Sequence, residues 1–333
     1  MNITVIGAGA WGTALAISFS AQHCVTLWAR DAAQVALMRD TRCNRRYLPN
    51  APLPEKLTLS ADFSAALAGA ELIVVAVPTA AFRNTLKMIV QSGRCASTCG
   101  VVWLCKGFEP ETALLPHQVA GQELPSGWLR GVLSGPSFAQ EVALGLPTAL
   151  VLAANDEVFA QRTAQALHHA RLRVYASNDM VGVEVGGAIK NVMAIASGVC
   201  DGMKLGNNAR AALITRGLAE MTRLGLQLGG RQETLSGLSG AGDLILTCTG
   251  DMSRNRRVGL LLAQNQGLEE ILHQLGHVAE GVYAVREVHQ LAARLNVKMP
   301  ICEAVYRVLY DHIPVAEMVA ELLNRTASQE FGQ

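Results

Sequence analysis

The sequence predicts an α/β chain: an N-terminal half built on a mostly parallel sheet, then an all-α C-terminal half. Two observations carry this. Up to about residue 178, short runs rich in Val, Ile, Leu and Thr alternate with helical stretches; beyond it, strand signals fade and long helical patterns take over. Runs at 2–6, 24–29, 72–78, 100–107, 131–135, 148–154 and 173–179 read as strands. Near-continuous apolar strands of this kind belong to a parallel sheet covered on both faces. Helices are expected between them at 13–21, 32–39, 64–67, 81–90 and 112–119. In the second half, 180–200, 208–229, 268–276, 281–296 and 301–310 read as helices. At 333 residues the chain exceeds what one core usually supports, so two domains are expected, 1–178 and 179–333. The boundary near Asn178 is short, which implies closely packed halves sharing a cleft.

Half of the residues are hydrophobic and 17% are charged, the balance of a packed globular protein. A net charge of +1 supplies no global field for nucleic acid or acidic membranes. The eight cysteines lie singly in apolar runs with no CxxC spacing, the pattern of reduced core residues in a cytoplasmic protein. No metal and no stable membrane insertion are expected. A dimer is expected from the many apolar helices of the second half. The apolar N-terminus is not read as an export signal, because only Met1 and Asn2 precede it and neither is cationic.

Glycines also break that N-terminal run at fixed offsets. Gly7, Gly9 and Gly12 follow a β-branched stretch and precede a helix, which opens a βαβ unit. In a Rossmann-like turn the first glycine permits the bend. The second lets backbone approach a pyrophosphate, and the third lets helix and strand pack closely. The helix N-terminus then offers free N–H groups to the phosphates. The next strand ends at Arg30 and Asp31, where the ribose 2′-oxygen belongs. Asp31 suits NAD and Arg30 suits the 2′-phosphate of NADP. Arg30 comes first, so NADP is favoured with NAD retained.

The candidate chemistry lies elsewhere in the chain. On a helix, Lys190 would lie over Gly186 and Gly187, one turn earlier on its face. Two mid-helix glycines cost roughly 1 kcal/mol each against alanine, so something needs that space. A flat ring or small substrate is one occupant; close helix packing beneath a snorkelling lysine is the other. Lys106 ends a strand at the edge where open α/β sheets bind ligands, and could meet Lys190 across the cleft. Two such ammonium groups would depress one another's pKa, towards the range useful for acid–base work. Gly135 and Ser137 stand where a helix begins after a strand, able to hold an anionic or hydroxylated ligand. Asp243 follows a glycine-rich turn and could accept from a substrate hydroxyl. Ser253 reads as an N-cap, and Arg254 beside it with the helix amides would make a phosphate site. Glu280 stands in a glycine-bounded turn before a helix.

Together, in order and spacing, GAGAWG, LCKG, SGPSFAQE, GGAIKNVMAI, NARAALITRGLAEM, GAGDLILTCT, SRNRR and VAEG resemble the bacterial NAD(P)-dependent glycerol-3-phosphate dehydrogenases across nearly the full length. The resemblance implies interconversion of dihydroxyacetone phosphate and sn-glycerol 3-phosphate, a precursor of glycerophospholipids. It implies that Lys190 is the general acid/base and that Lys106 contacts substrate and cofactor. Gly135, Ser137, Asp243, Ser253, Arg254 and Asn255 match the family's substrate positions. Ala10, Trp11, Arg30, Ala139, Arg254, Val278 and Glu280 match its cofactor positions. The tail after Arg325 matches no motif. A related 2-oxo or β-hydroxy acid reductase is the alternative enzyme; a non-catalytic nicotinamide sensor is the alternative outside enzymes.

Overall fold

The computed structural model describes residues 1–95, 98–275 and 279–324. Its strands are β1 (Asn2–Ile6), β2 (Cys24–Trp28), β3 (Cys43–Asn44), β4 (Leu48–Pro52), β5 (Thr58–Ser60), β6 (Leu72–Val75), β7 (Gly100–Trp103), β8 (Arg130–Ser134), β9 (Thr148–Ala154) and β10 (Leu172–Ser177). Eight form one sheet in the order β10-β9-β8-β7-β6-β1-β2-β5; β3 and β4 make a separate hairpin. Every pairing in the large sheet is parallel except β8 with β9. Both faces are covered, as continuous apolar strands require. Ile3, Val5, Leu72 and Val74 point into one core layer, while Ile6, Ile73, Val75 and Trp103 point into the other.

The helices threaded through the sheet are α1 (Ala10–Phe19), α2 (Ala32–Thr41), α3 (Phe63–Leu67), α4 (Thr79–Ser92), α5 (Pro116–Glu123), α6 (Ala139–Ala143) and α7 (Glu157–Leu167). Three differences from the sequence reading have local causes. Helix α1 starts at Ala10 rather than 13, because Gly12 fits inside its first turn, where a Cβ would overlap the Gly7 carbonyl. Helix α5 starts at Pro116 rather than 112, because Glu111 and Ala113 take left-handed backbone (φ 68° and 53°) and Pro116 opens the helix. Helix α7 and strands β3 to β5 were not anticipated: β3 and β5 have two and three residues, and β4 carries Pro49 and Pro52 among its five.

The second half holds α8 (Met180–Gly202), α9 (Asn207–Gln227), α10 (Gln232–Ser236), a π-helical turn (Leu238–Gly242), α11 (Asp243–Thr249), α12 (Arg254–Leu262), α13 (Leu268–Leu275), α14 (Glu280–Leu295), α15 (Pro300–Tyr310) and α16 (Val315–Leu323). Helix α8 is the axle, with α9, α11, α12 and α14 packed around it. By length and composition it could cross a bilayer, but 89% of its apolar window is buried inside the protein. A helix apolar all round belongs to such a core. All eight cysteines are free; five are buried, whereas Cys24 is exposed and Cys43 and Cys95 are partly so, against the expectation that all lie in the core.

Glycine sets the α8–α12 approach. A Cβ on Gly198 would overlap the Arg256 carbonyl oxygen, and one on Gly259 would sit 2.7 Å from the Val199 nitrogen. Gly198→Ala must therefore push the helices apart. It is expected to lower the unfolding free energy by about 2 kcal/mol or more, read as an earlier melting transition. An unchanged melt would show that the helices do not meet there.

Candidate active site

The carboxyl ends of β1, β2, β6 and β7 open onto a cleft of about 1460 Å³ whose far wall comes from α8, α11, α12 and α14. The glycine turn forms its floor. Gly7 takes φ +112°, which favours glycine, and its amide donates to the Trp28 carbonyl. A Cβ on Gly9 would meet nothing within 4 Å, so backbone faces open space at the start of α1. No side chain caps α1, which leaves its first amides for a ligand. This is the cradle that a dinucleotide pyrophosphate needs, and the residues present fit that group. Ala10, Trp11 and Ala139 line the same cleft.

At the rim after β2, Asp31 spends Oδ1 capping α2, accepting from the Ala33 and Gln34 amides at 2.9 and 3.2 Å. Arg30 is exposed there. The β3–β4 hairpin adds residues that the sequence did not point to. Asn44 donates to the Ala8 carbonyl at 2.9 Å and to Thr13 Oγ1 at 2.8 Å. This anchors Arg46 and Tyr47 on the cleft wall.

Three charged side chains meet at the centre. Asp243, 1% exposed at the start of α11, receives Lys190 Nζ on Oδ1 and Lys106 Nζ on Oδ2, both at 2.6 Å. Lys190 also donates to Thr247 Oγ1 at 3.1 Å, and that hydroxyl donates to the Asp243 carbonyl at 2.6 Å. The lysines meet as expected, but through a carboxylate rather than directly. Each Asp243 oxygen accepts from a lysine, partners that the sequence reading did not give it. Thr247 was missed; it lies four residues after Asp243, on the same helical face.

Burial drives the Lys190 ammonium down to about 8. Asp243 opposes this and Lys106 reinforces it. Burial alone would raise the Asp243 carboxyl, but Lys106 and Lys190 together hold it below its ordinary value. An amine near 8 can both give and take a proton close to neutrality.

The two glycines before Lys190 are filled by protein, which decides their role for close packing. A Cβ on Gly186 would overlap the Ser239 carbonyl, and one on Gly187 would stand 3.3 Å from Lys106 Cγ. Gly135 takes φ +144°, and its carbonyl accepts from Lys106 Nζ at 3.3 Å and Ser137 Oγ at 2.9 Å. Gly135 thus positions Lys106 from outside the cleft lining, while Ser137 lines it.

The opposite wall begins at α12. Ser253 is its N-cap, Oγ accepting from the Arg256 amide at 3.2 Å. Arg254 is exposed to the cleft. Asn255 is committed to protein, donating to Asn191 Oδ1 and accepting from the Gly281 amide, each at 3.0 Å. Glu280 opens α14 in the same cleft; burial pushes its carboxyl up, against Arg254 first and then the two lysines. Val278 lies outside the described residues.

Comparison with known proteins gives the family. Residues 2–160 match the family model described as NAD-dependent glycerol-3-phosphate dehydrogenase N-terminus, and 179–320 match its C-terminus. A glycerol-3-phosphate dehydrogenase [NAD(P)+] of Thiobacillus denitrificans is 60% identical over 99% of this chain and 100% of its own. The crystal structure of glycerol-3-phosphate dehydrogenase from Coxiella burnetii superposes with a TM-score of 0.92 at 43% identity, covering 97% of this chain and 99% of that one. A ketopantoate reductase from Ralstonia eutropha, 16% identical with a TM-score of 0.60, covers 96% of this chain and all of its own; it shares the fold alone. With both halves matched in order, the chain belongs to the NAD-dependent glycerol-3-phosphate dehydrogenase family.

Proposed function

We propose that this chain interconverts dihydroxyacetone phosphate and sn-glycerol 3-phosphate with NADP(H) or NAD(H), feeding glycerophospholipid synthesis, and that Lys190 exchanges the proton at the substrate C2 oxygen. The observation that carries this reading is the buried Lys190–Asp243–Lys106 cluster facing the glycine turn across one cleft. Bound nicotinamide supplies or accepts the hydride. The chain's own residues do the rest. Asp243 holds Lys190 and Lys106 at fixed separation. The Lys190 ammonium polarises the ketone oxygen and protonates it; in reverse the neutral amine takes the proton back. Three cations, Lys106, Lys190 and Arg254, face two carboxylates, Asp243 and Glu280, so the site retains positive charge for a phosphorylated substrate.

Arg254 and the first amides of α12 receive the phosphate in this reading, with Ser253 shaping the turn. Gly135, Ser137 and Asn255 complete the substrate side; the last acts through its two protein bonds. Gly7, Gly9, Ala10, Trp11, Gly12, Lys106, Ala139, Arg254, Val278 and Glu280 serve the cofactor. Arg30 inclines the site to NADP, since Asp31 is partly spent on α2. The domain division at 178/179 follows the end of β10 and the start of α8. We expect a cytoplasmic enzyme, from the cysteine pattern, working without nucleic acid or membrane insertion, and a homodimer through apolar helical faces.

Three measurements test the reading. The enzyme is expected to consume NAD(P)H with dihydroxyacetone phosphate and not with a panel of 2-oxo acids, while Lys190→Met lowers kcat about 1000-fold and leaves cofactor binding nearly intact. Equal loss of both would make Lys190 structural. Reduction needs the ammonium, so its kcat/KM should fall as pH rises through about 8, while oxidation rises through the same range. A reduction rate flat from neutrality well past that point would remove Lys190 from the proton path. Arg254→Ala should raise KM for the phosphorylated ketone about 30-fold, the worth of one charge-assisted hydrogen bond. An equal effect on unphosphorylated dihydroxyacetone would move the phosphate elsewhere.

A further inference from the structure

One buried carboxylate takes no part in this scheme. Glu184 lies on α8, six residues before Lys190, and is 3% exposed. Its Oε1 accepts from Trp103 Nε1 at 2.8 Å, and its Oε2 stands 2.6 Å from His117 Nδ1. Trp103 is the last residue of β7, three before Lys106. His117 lies in the first turn of α5, with its side chain 21% exposed. A single carboxylate therefore joins a strand end, the central helix and a flanking helix. Burial pushes this carboxyl up, and His117 and then Trp103 pull it back. An apolar side chain of similar volume would be cheaper to bury, and the best-attested use of such a buried ion is to fix a register.

The register in question runs straight to the lysines. Gly187 follows Glu184 by one turn along α8, and Lys190 follows Gly187 by another. At Gly187 the helix comes so close to the segment after β7 that the Lys106 stem lies 3.3 Å from where a Cβ would stand. A slide of strand end against helix would carry Lys106 away from Asp243 Oδ2 while Lys190 stayed on Oδ1. At the Trp103 level apolar packing, with Val183 of α8 and Phe82 in the same layer, holds the two elements together, and the Glu184 hydrogen bond adds a directional tie between strand end and helix.

We propose that Glu184 is a positioning residue: its carboxylate, held between Trp103 and His117, pins the end of β7 to α8 so that Lys106 and Lys190 share Asp243. The inference rests on the proton-transfer reading of Lys190, which Lys190→Met and the pH profile of the unaltered enzyme check separately.

The test compares Glu184→Gln, Glu184→Leu and Trp103→Phe in the full chain. Three readouts are taken: steady-state reduction, cofactor Kd by fluorescence quenching, and NMR titration of the Lys190 side chain in the cofactor-free protein. Glu184→Gln keeps an acceptor for Trp103 and is expected to stay within about threefold of wild-type kcat. Glu184→Leu and Trp103→Phe are expected to lose kcat about tenfold or more, as misplacement of a catalytic group does, with cofactor Kd unchanged. In both, the Lys190 titration should move upward, because Lys106 no longer adds its repulsion. Should Glu184→Leu not fold, Trp103→Phe and Glu184→Gln decide the matter. Wild-type kcat and an unmoved Lys190 titration in Trp103→Phe would overturn the proposal even if its melting temperature fell. So would a cofactor Kd that weakens in step with kcat.

Discussion

Asp243 holds two lysines at once, and the rest of the site is arranged around that fact. A carboxylate 1% exposed would be costly alone. With an ammonium on each oxygen at 2.6 Å it becomes the fixed point to which both lysines are referred. The lysines arrive from different layers, Lys106 from the segment after the carboxyl end of β7 and Lys190 from the central helix. The carboxylate therefore closes the two halves over the cleft as well as tuning the amine. Burial lowers Lys190, Asp243 limits the fall, and Lys106 tips the balance to about 8. Any one of the three without the others would leave a charge poorly matched to its surroundings.

Reaching that geometry takes unusually close backbone approaches. Helix α8 meets the π-helical turn at Gly186, the Lys106 stem at Gly187 and α12 at Gly198. Each approach lets a polar segment at the cleft come nearer than side chains would allow. The same helix then carries charged and amide groups at its crossing points: Glu184 to Trp103, Lys190 to Asp243, and Asn191 to Asn255. Asn255 passes the connection on to the Gly281 amide at the start of α14, beside Glu280. The turn that opens α12 and the turn that opens α14 are thus tied to one axle. The two turns share a register through Asn255, which bonds α8 on one side and α14 on the other.

Much of this was legible in the chain of letters. The glycine turn after a β-branched run, the short unbroken apolar strands and the long apolar stretch from Met180 announce themselves through residue type and run length. Ser253 as an N-cap and Lys106 at a strand's end follow from the same local rules. What lacked such a run went unread: the two- and three-residue strands, the proline-bearing β4, and the left-handed backbone at Glu111 and Ala113 that delays α5.

By itself, then, the sequence determined the layered sheet, the helical second half and the glycine turn that opens the first βαβ unit, because each depends on residues adjacent along the chain or one turn apart. Tertiary structure alone decided which groups meet. It put Asp243 between two lysines 137 and 53 positions away, filled the Gly186 and Gly187 hollows with protein, and brought Asn44 onto the glycine turn. Those pairings depend on how helices and sheet close over one another, and that closure is a property of packed surfaces that no short window of residues contains.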